Sequence, residues 1–256
     1  MKIKVLGAHN AASKYTRLTS LLIDDVLVVD AGNITSDLSF PRQEKIKAIL
    51  LSHEHYDHIR DVPAFAFSNA CRTTKVLGTK PTLDLLSSHL VDGKIYPNFT
   101  EKTPVCEEKT LDFVELKPLD QVNVDDYKVR AFPVKHTTGS VGFEITSKDG
   151  KSLFYSGDTG PGLSSIWEQI SPQLLIMEST FHNELETTAK NSNHLIPKTL
   201  EKELKDFNKI KGYLPKTILI HLTPMFEKQI KEEVKEIEKN LGVSIHVVSE
   251  GEEINL

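Results

Sequence analysis

Three imidazoles and two carboxylates fall within six residues in Ser52-His53-Glu54-His55-Tyr56-Asp57-His58, directly after the apolar stretch from Ile46 to Leu51. A packed core has no use for that density of polar groups. The pattern His-x-His-x-Asp-His instead combines ligand types suited to Zn²⁺ and other first-row cations. Its short spacing lets one loop aim donors toward two sides, which points to more than one metal.

Metal binding of this kind needs supporting ligands from distant segments, and that requirement constrains the fold. Val129 to Val134 leads to His136, Ser152 to Tyr155 leads to Asp158, and Thr217 to Ile220 leads to His221. Each candidate sits just beyond the carboxyl end of a predicted strand, where layered α/β architectures place ligands and catalytic groups. Predicted strands are Lys2 to Gly7, Thr19 to Ile23, Val26 to Asp30, Ala48 to Ser52, Lys75 to Gly78, Phe113 to Leu116, Tyr127 to Val134, Gly142 to Thr146, Ser152 to Ser156, Leu174 to Glu178, Thr217 to Ile220 and Ile245 to Val248. Helices are predicted to begin near Ile59, Thr82, Ser164, Lys198 and Glu227. The last two are the clearest: Leu200, Leu204 and Phe207 recur at helical spacing after Pro197, and Ile230, Val234, Ile237 and Leu241 recur before Gly242.

The ligand set resembles that of the metallo-β-lactamase fold superfamily of two-metal hydrolases. Leu18 to Ile23 and Val28 to Gly32 look like its opening strands, and the likeness runs through Ser156-Gly157-Asp158-Thr159-Gly160 to His221. The resemblance implies a single-domain α/β fold spanning 1–256, a four-layer αββα sandwich. It also implies that His53, His55 and His136 hold one metal, that Asp57, His58 and His221 hold the second, and that Asp158 bridges them. Zinc is the expected ion, with manganese or iron as alternatives. Two divalent cations, two carboxylates and one hydroxide leave about one positive charge, so the site prefers an anionic substrate.

A closer resemblance lies between the ligands. Ser88 to Phe99, Gly157 to Pro161, Ile166-Trp167 and His194-Leu195-Ile196-Pro197 look like the class II cyclic nucleotide phosphodiesterases, although that family has threonine where this chain has Ile196. The likeness implies hydrolysis of 3′,5′-cyclic AMP or GMP to the 5′ monophosphate by attack of a hydroxide held between the metals. The catalytic candidates are Asp57 and His194. His194 is off the ligand list, precedes a helix, and matches a histidine shared with ribonuclease Z; as general acid it would protonate the leaving oxygen.

Other readings remain open. A ribonuclease Z-like nuclease shares the ligands, but only 21 residues separate His136 from Asp158, too few for the RNA-binding arm that enzyme carries there. A lactonase or other ester hydrolase would use the same metals. The diiron redox members have glutamate where this chain has His55, and usually carry a flavin domain.

Composition narrows the partners. Thirty-one basic against 36 acidic residues give a net charge of −5 in a 256-residue chain, with no basic stripe, so nucleic acid is not an expected partner. No apolar stretch approaches the roughly 20 residues that span a bilayer, so no membrane partner is expected; a homodimer is compatible with the sequence. Cys71 and Cys106 lie far apart, outside any Cys-x-x-Cys pattern, and read as inert apolar fillers. With Met1 to Leu6 running straight into a strand, they indicate a reducing cytoplasm.

Four further elements are weighed between site and scaffold. Asp30 either orients a ligand histidine or forms a turn. Glu178, Ser179 and Thr180 either support the site or cap a helix. Thr138, Gly139 and Ser140 either touch a phosphate or simply connect strands. Trp167 and Tyr96 either stack on a base or pack in the core. His9, His89, His182 and His246 show no ligand spacing, though His9 and His182 lie at strand ends near the expected mouth.

Overall fold

The computed structural model describes residues 1–256. Alternation along the strands builds its layers. In β1 (Lys2–Gly7) Ile3 and Val5 point one way and Leu6 the other; β2 (Ser20–Ile23), β3 (Leu27–Val29) and β4 (Ala48–Leu50) divide their apolar residues in the same manner. Strands that are apolar on both faces must be covered on both.

With β5 (Thr74–Gly78), β6 (Leu111–Glu115) and β14 (Glu253–Asn255), these strands form a seven-stranded sheet in the order β14-β1-β2-β3-β4-β5-β6. The second sheet runs β13-β12-β11-β10-β9-β8-β7. It comprises β7 (Gln121–Val124), β8 (Tyr127–Pro133), β9 (Val141–Ser147), β10 (Ser152–Tyr155), β11 (Leu174–Glu178), β12 (Lys216–Ile220) and β13 (Ile245–Val247).

Between the sheets lies a 26-residue core that includes Val5, Leu21, Leu50, Val129, Phe143, Tyr155, Ile176 and Ile218. The outer face of the first sheet is covered by α1 (Phe40–Gln43), α2 (Tyr56–Ile59), α3 (Val62–Ser68) and α4 (Lys80–His89), with Ile59, Val62, Phe65, Leu83 and Leu86 packed on Ile49 and Val76. Across the molecule α5 (Ser164–Trp167), α7 (Pro197–Lys211) and α8 (Glu227–Leu241) bury Trp167, Phe207 and Ile230 against Phe154, Leu175 and Leu219. Helix α6 (Glu186–Ser192) leads into α7. The four layers of the αββα sandwich follow from these three apolar interfaces.

The structure corrects one predicted helix and decides two alternatives that the sequence left open. The helix expected near Ile59 is two short ones, because Asp61 turns the chain: its N–H bonds the Ala31 carbonyl and its carboxylate accepts the N–H groups of Ile34 and Thr35. Trp167 is fully buried between Phe154 and Phe207, and Tyr96 packs between Phe67 and Phe99, so both serve packing. Thr137 and Ser140 bond one another around Gly139, whose φ is +89°, which makes that segment a connecting turn.

The expectation of two inert cysteines fails. Cys71 and Cys106 form a disulfide, with Cα atoms 4.9 Å apart. Their 35-residue separation is closed when the segment after α4 folds back against the end of α3, a proximity that linear spacing does not show. This bond removes the cysteine argument for a reducing compartment. No helix of the structure is long and apolar enough to cross a membrane.

Candidate active site

The ends of four strands converge on one edge of the sandwich. Beyond β4 the chain passes through His53 and His55 into α2, whose first turn carries Asp57 and His58. His136 follows β8, Asp158 follows β10 and His221 follows β12. The first sheet thus supplies four of the seven predicted donors and the second sheet three.

All seven are brought together. Asp158 Oδ2 lies 3.3 Å from both His58 Nε2 and His221 Nε2, 3.6 Å from His53 Nε2 and 3.7 Å from His136 Nε2. Asp57 Oδ2 is 3.1 Å from His221 Nε2 and 3.5 Å from His58 Nε2, while His55 Nδ1 is 3.0 Å from His136 Nε2. The donor atoms of His53, His55, His136 and Asp158 all lie within 4.8 Å of one another, as do those of Asp57, His58 and His221.

Whether these groups suit a metal is decided by their unpaired atoms. His53 Nε2, His58 Nε2 and Asp158 Oδ1 are buried with no hydrogen-bond partner in the protein, a costly arrangement unless something binds them. The opposite ring nitrogens are committed elsewhere. His58 Nδ1 donates to Asp30 Oδ2 at 2.7 Å, and His53 Nδ1 donates to Ser52 Oγ, whose proton goes to the same Asp30 oxygen. His136 Nδ1 donates to the Asn193 carbonyl, and His221 Nδ1 to Thr180 Oγ1. Such backing fixes the tautomer so that Nε2 presents a lone pair inward. The donor set fits divalent cations.

Asp30 and Glu178 are the two anchors of this backing. Asp30 is fully buried and also accepts from the Ser52 N–H and, at 2.6 Å, from the Tyr155 hydroxyl. Glu178 holds His194 Nδ1 directly at 2.8 Å and His221 through Thr180, whose hydroxyl donates to Glu178 Oε2 at 2.8 Å. Each anchor therefore grips one histidine directly and a second through a hydroxyl. Both were read from the sequence as open alternatives, and both reach histidines of the donor cluster. Ser52 and Tyr155 were missed, yet the inward row of β10 offered a signal: a buried tyrosine needs a partner for its hydroxyl.

Electrostatics follow the packing. Burial pushes the His53 imidazolium well down, reinforced by the charge of His58. Burial opposes charge on His58 and Asp158 too, but the carboxylates of Asp158, Asp30 and Asp57 raise His58 well above its usual range, and the charges of His221 and His58 hold Asp158 well below its own; a cation bound at His58 Nε2 would take the place of the proton there. For His194, burial is outweighed by the charge and hydrogen bond of Glu178, which raise it to about 9. His194 lies beside the donors, its ring 4.7 Å from that of His136 and stacked 5.5 Å from that of His221.

The site opens into a cavity of about 580 Å³ lined by Asn10, Tyr56, Asp57, Arg60, His194 and His221 among others, within the usual range for small-molecule sites. His9 does not line it; it is buried and bonds Glu250 at 2.7 Å. His182 is buried against Phe226, and His89 and His246 bond Ser88 and Glu252 away from the donors.

A layered sandwich with a histidine-aspartate cluster at the strand ends defines the class of metallo-β-lactamase-fold metal-dependent hydrolases. The family model described as "Beta-lactamase superfamily domain" matches residues 21–249, and the chain belongs to that family. Among curated proteins it is similar to RNase aCSPSF2 of Saccharolobus solfataricus, 28% identical over 177 residues, 62% of this chain and 34% of that protein. Probable metallo-hydrolase YhfI of Bacillus subtilis is 25% identical over 211 residues, 79% of this chain and 82% of its own. The chain spans a third to a half of the length of several curated relatives that it matches. Among solved structures, unliganded yeast PDE1 superposes with a TM-score of 0.85 at 16% identity, covering 100% of this chain and 99% of its own.

Proposed function

We propose that the protein is a two-metal phosphodiesterase that hydrolyses 3′,5′-cyclic AMP or GMP to the 5′ monophosphate. One observation carries the reading: a seven-donor cluster shares its cavity with His194, an imidazole whose Nδ1 is bound to Glu178 and whose pKa that carboxylate raises to about 9. In this reading His53, His55 and His136 hold one cation, Asp57, His58 and His221 the other, and Asp158 lies between them; zinc suits the set, with manganese and iron as alternatives. Bound there, divalent cations supply Lewis acidity toward phosphoryl oxygens and a nucleophile at neutral pH.

The remaining work falls to the protein. Glu178 keeps His194 charged and turns its Nε2 to the cavity, from which it delivers a proton to the leaving 3′ oxygen. Asp30, Ser52 and Thr180 keep the donor rings from rotating. Likeness in fold to yeast PDE1 supports the reading, as does the family's hydrolase chemistry.

Relatives named as ribonucleases favour a second reading, a linear RNA substrate. The interval from His136 to Asp158 is filled by β9, β10 and their turns, which leaves no arm for a long RNA there. The test is to incubate the Zn²⁺- or Mn²⁺-loaded protein with cyclic AMP and cyclic GMP and to separate products, with Asp57→Ala as blank. Formation of 5′ monophosphate by the wild type alone is expected. No product from either nucleotide would overturn the cyclic-nucleotide reading and move the search to linear diesters, RNA ends and lactones.

A further inference from the structure

The cavity wall formed by Tyr56, Arg60 and Asn10 has no part in holding metal or delivering the proton. Tyr56 and Arg60 stand four residues apart on α2 and its C-terminal cap, so they share one face, and the Arg60 N–H bonds the Tyr56 carbonyl. Tyr56 is 62% exposed, an unusual position for an aromatic ring beside a ligand loop. The Arg60 guanidinium makes one bond within the protein, Nε to Asp61 Oδ1 at 3.3 Å. Asp61 is itself fixed by the N–H groups of Ile34 and Thr35, so the guanidinium is oriented while its two terminal nitrogens stay unengaged. Across the same cavity Asn10 is committed to the scaffold: its Nδ2 donates to Thr223 Oγ1, its N–H bonds the Leu222 carbonyl, and its Oδ1 is buried out of reach of the cavity.

A ring face and a forked donor recognise different ligands in combination than singly. A second phosphate would satisfy Arg60, but it would leave the exposed Tyr56 ring face without a partner. A purine with two adjacent acceptors on one edge satisfies both. Guanine has that pattern; adenine places a donor where guanine has O6.

Resting on the phosphodiesterase reading above, we propose that Tyr56 and Arg60 form a base-recognition wall selective for guanine nucleotides. Tyr56 stacks on the base, and Arg60 donates to O6 and N7. Neither residue belongs to the donor cluster, so selectivity and chemistry are separable.

The experiment compares kcat/KM for cyclic GMP and cyclic AMP, and the dissociation constants of guanosine and adenosine 5′ monophosphate by equilibrium dialysis. Wild type is expected to favour guanine about tenfold or more. Arg60→Gln, checked for folding by circular dichroism, should bring both ratios close to one. Tyr56→Ala should weaken both nucleotides about tenfold, and Tyr56→Phe should restore them. Equal treatment of the two bases by wild type, or an equal loss for both in Arg60→Gln, would overturn the assignment and make Arg60 a general anion contact. Hydrolysis of bis(p-nitrophenyl) phosphate by the wild type, which needs no base, separately tests the phosphodiesterase reading. If that fails, dialysis still decides the base preference.

Discussion

The Nδ1 of His194 rests 2.8 Å from Glu178 Oε1, and the charge state of that imidazole sets a testable pH dependence. As an acid it works while protonated, so turnover should persist through neutrality and fall as pH rises toward about 9; cations bound nearby pull the limb lower. Glu178→Gln removes the group that sustains the charge, so the alkaline limb should move to lower pH. His194→Ala should keep its metals by elemental analysis yet lose about 10²- to 10⁴-fold in kcat for a poor leaving group; full turnover would end its acid role. A second histidine has a structural task. His9 is held above its usual pKa because the charges and hydrogen bonds of Glu250 and Glu227 outweigh its burial. A raised folded-state pKa contributes stability that is complete below the unfolded value near 6.5 and is lost as pH rises through the folded one. His9→Gln should therefore cost about 1 kcal/mol more at pH 6 than at pH 9 in urea melts. Asp30 and His221 both adopt positive φ, 55° and 65°. Neither is glycine, and this local strain is sustained by the bonds their side chains make.

At the scale of elements, legibility followed apolar periodicity. Helices α7 and α8 each present a buried stripe at helical spacing, with Leu200, Leu204 and Phe207 on one and Ile230, Val234 and Ile237 on the other, and both could be read directly. Helix α6 buries only Ala189, and α1 only Gln43, so neither carries an apolar signal. Strands β7 and β14 lie at the outer edges of their sheets and span only four and three residues, too short for their alternation to stand out. The candidate ligands were legible because His53, His136, Asp158 and His221 each sit one to three residues past a strong strand, and His55, Asp57 and His58 follow His53 in one motif. Arg60 was not, since a half-buried arginine looks the same at any helix end. Phe207 packs in the outer core against Trp167; Phe207→Ala should cost about 3–5 kcal/mol by equilibrium denaturation, without moving the donors on the opposite ends of the strands.

For the whole molecule, the donor cluster doubles as a clasp. Four donors hang from the first sheet and three from the second, so cations held among them tie the sheets together at one rim. Removing metal with a chelator should lower the unfolding temperature, the bound state being stabilised by about 4 kcal/mol when free metal is a thousandfold above its Kd. A tie of another kind joins Cys71 to Cys106 across 35 residues of the first half. Thiol titration of the unreduced protein should find no free cysteine, and Cys71→Ser should destabilise by about 3–4 kcal/mol on chain-entropy grounds. Two free thiols in freshly isolated protein would refute that bond.

The double grip of Glu178 has an evolutionary corollary. Because one carboxylate steadies both His221, a proposed metal donor, and His194, the proposed proton donor, natural selection could not adjust the strength of that acid without also disturbing a ligand. Asp30 imposes the same bond between His53 and His58, one assigned to each cation. Changes at either anchor should therefore show strong epistasis with changes at the histidines they serve. New substrates would then be reached most readily by altering the opposite wall of the cavity, where residues answer to no common master.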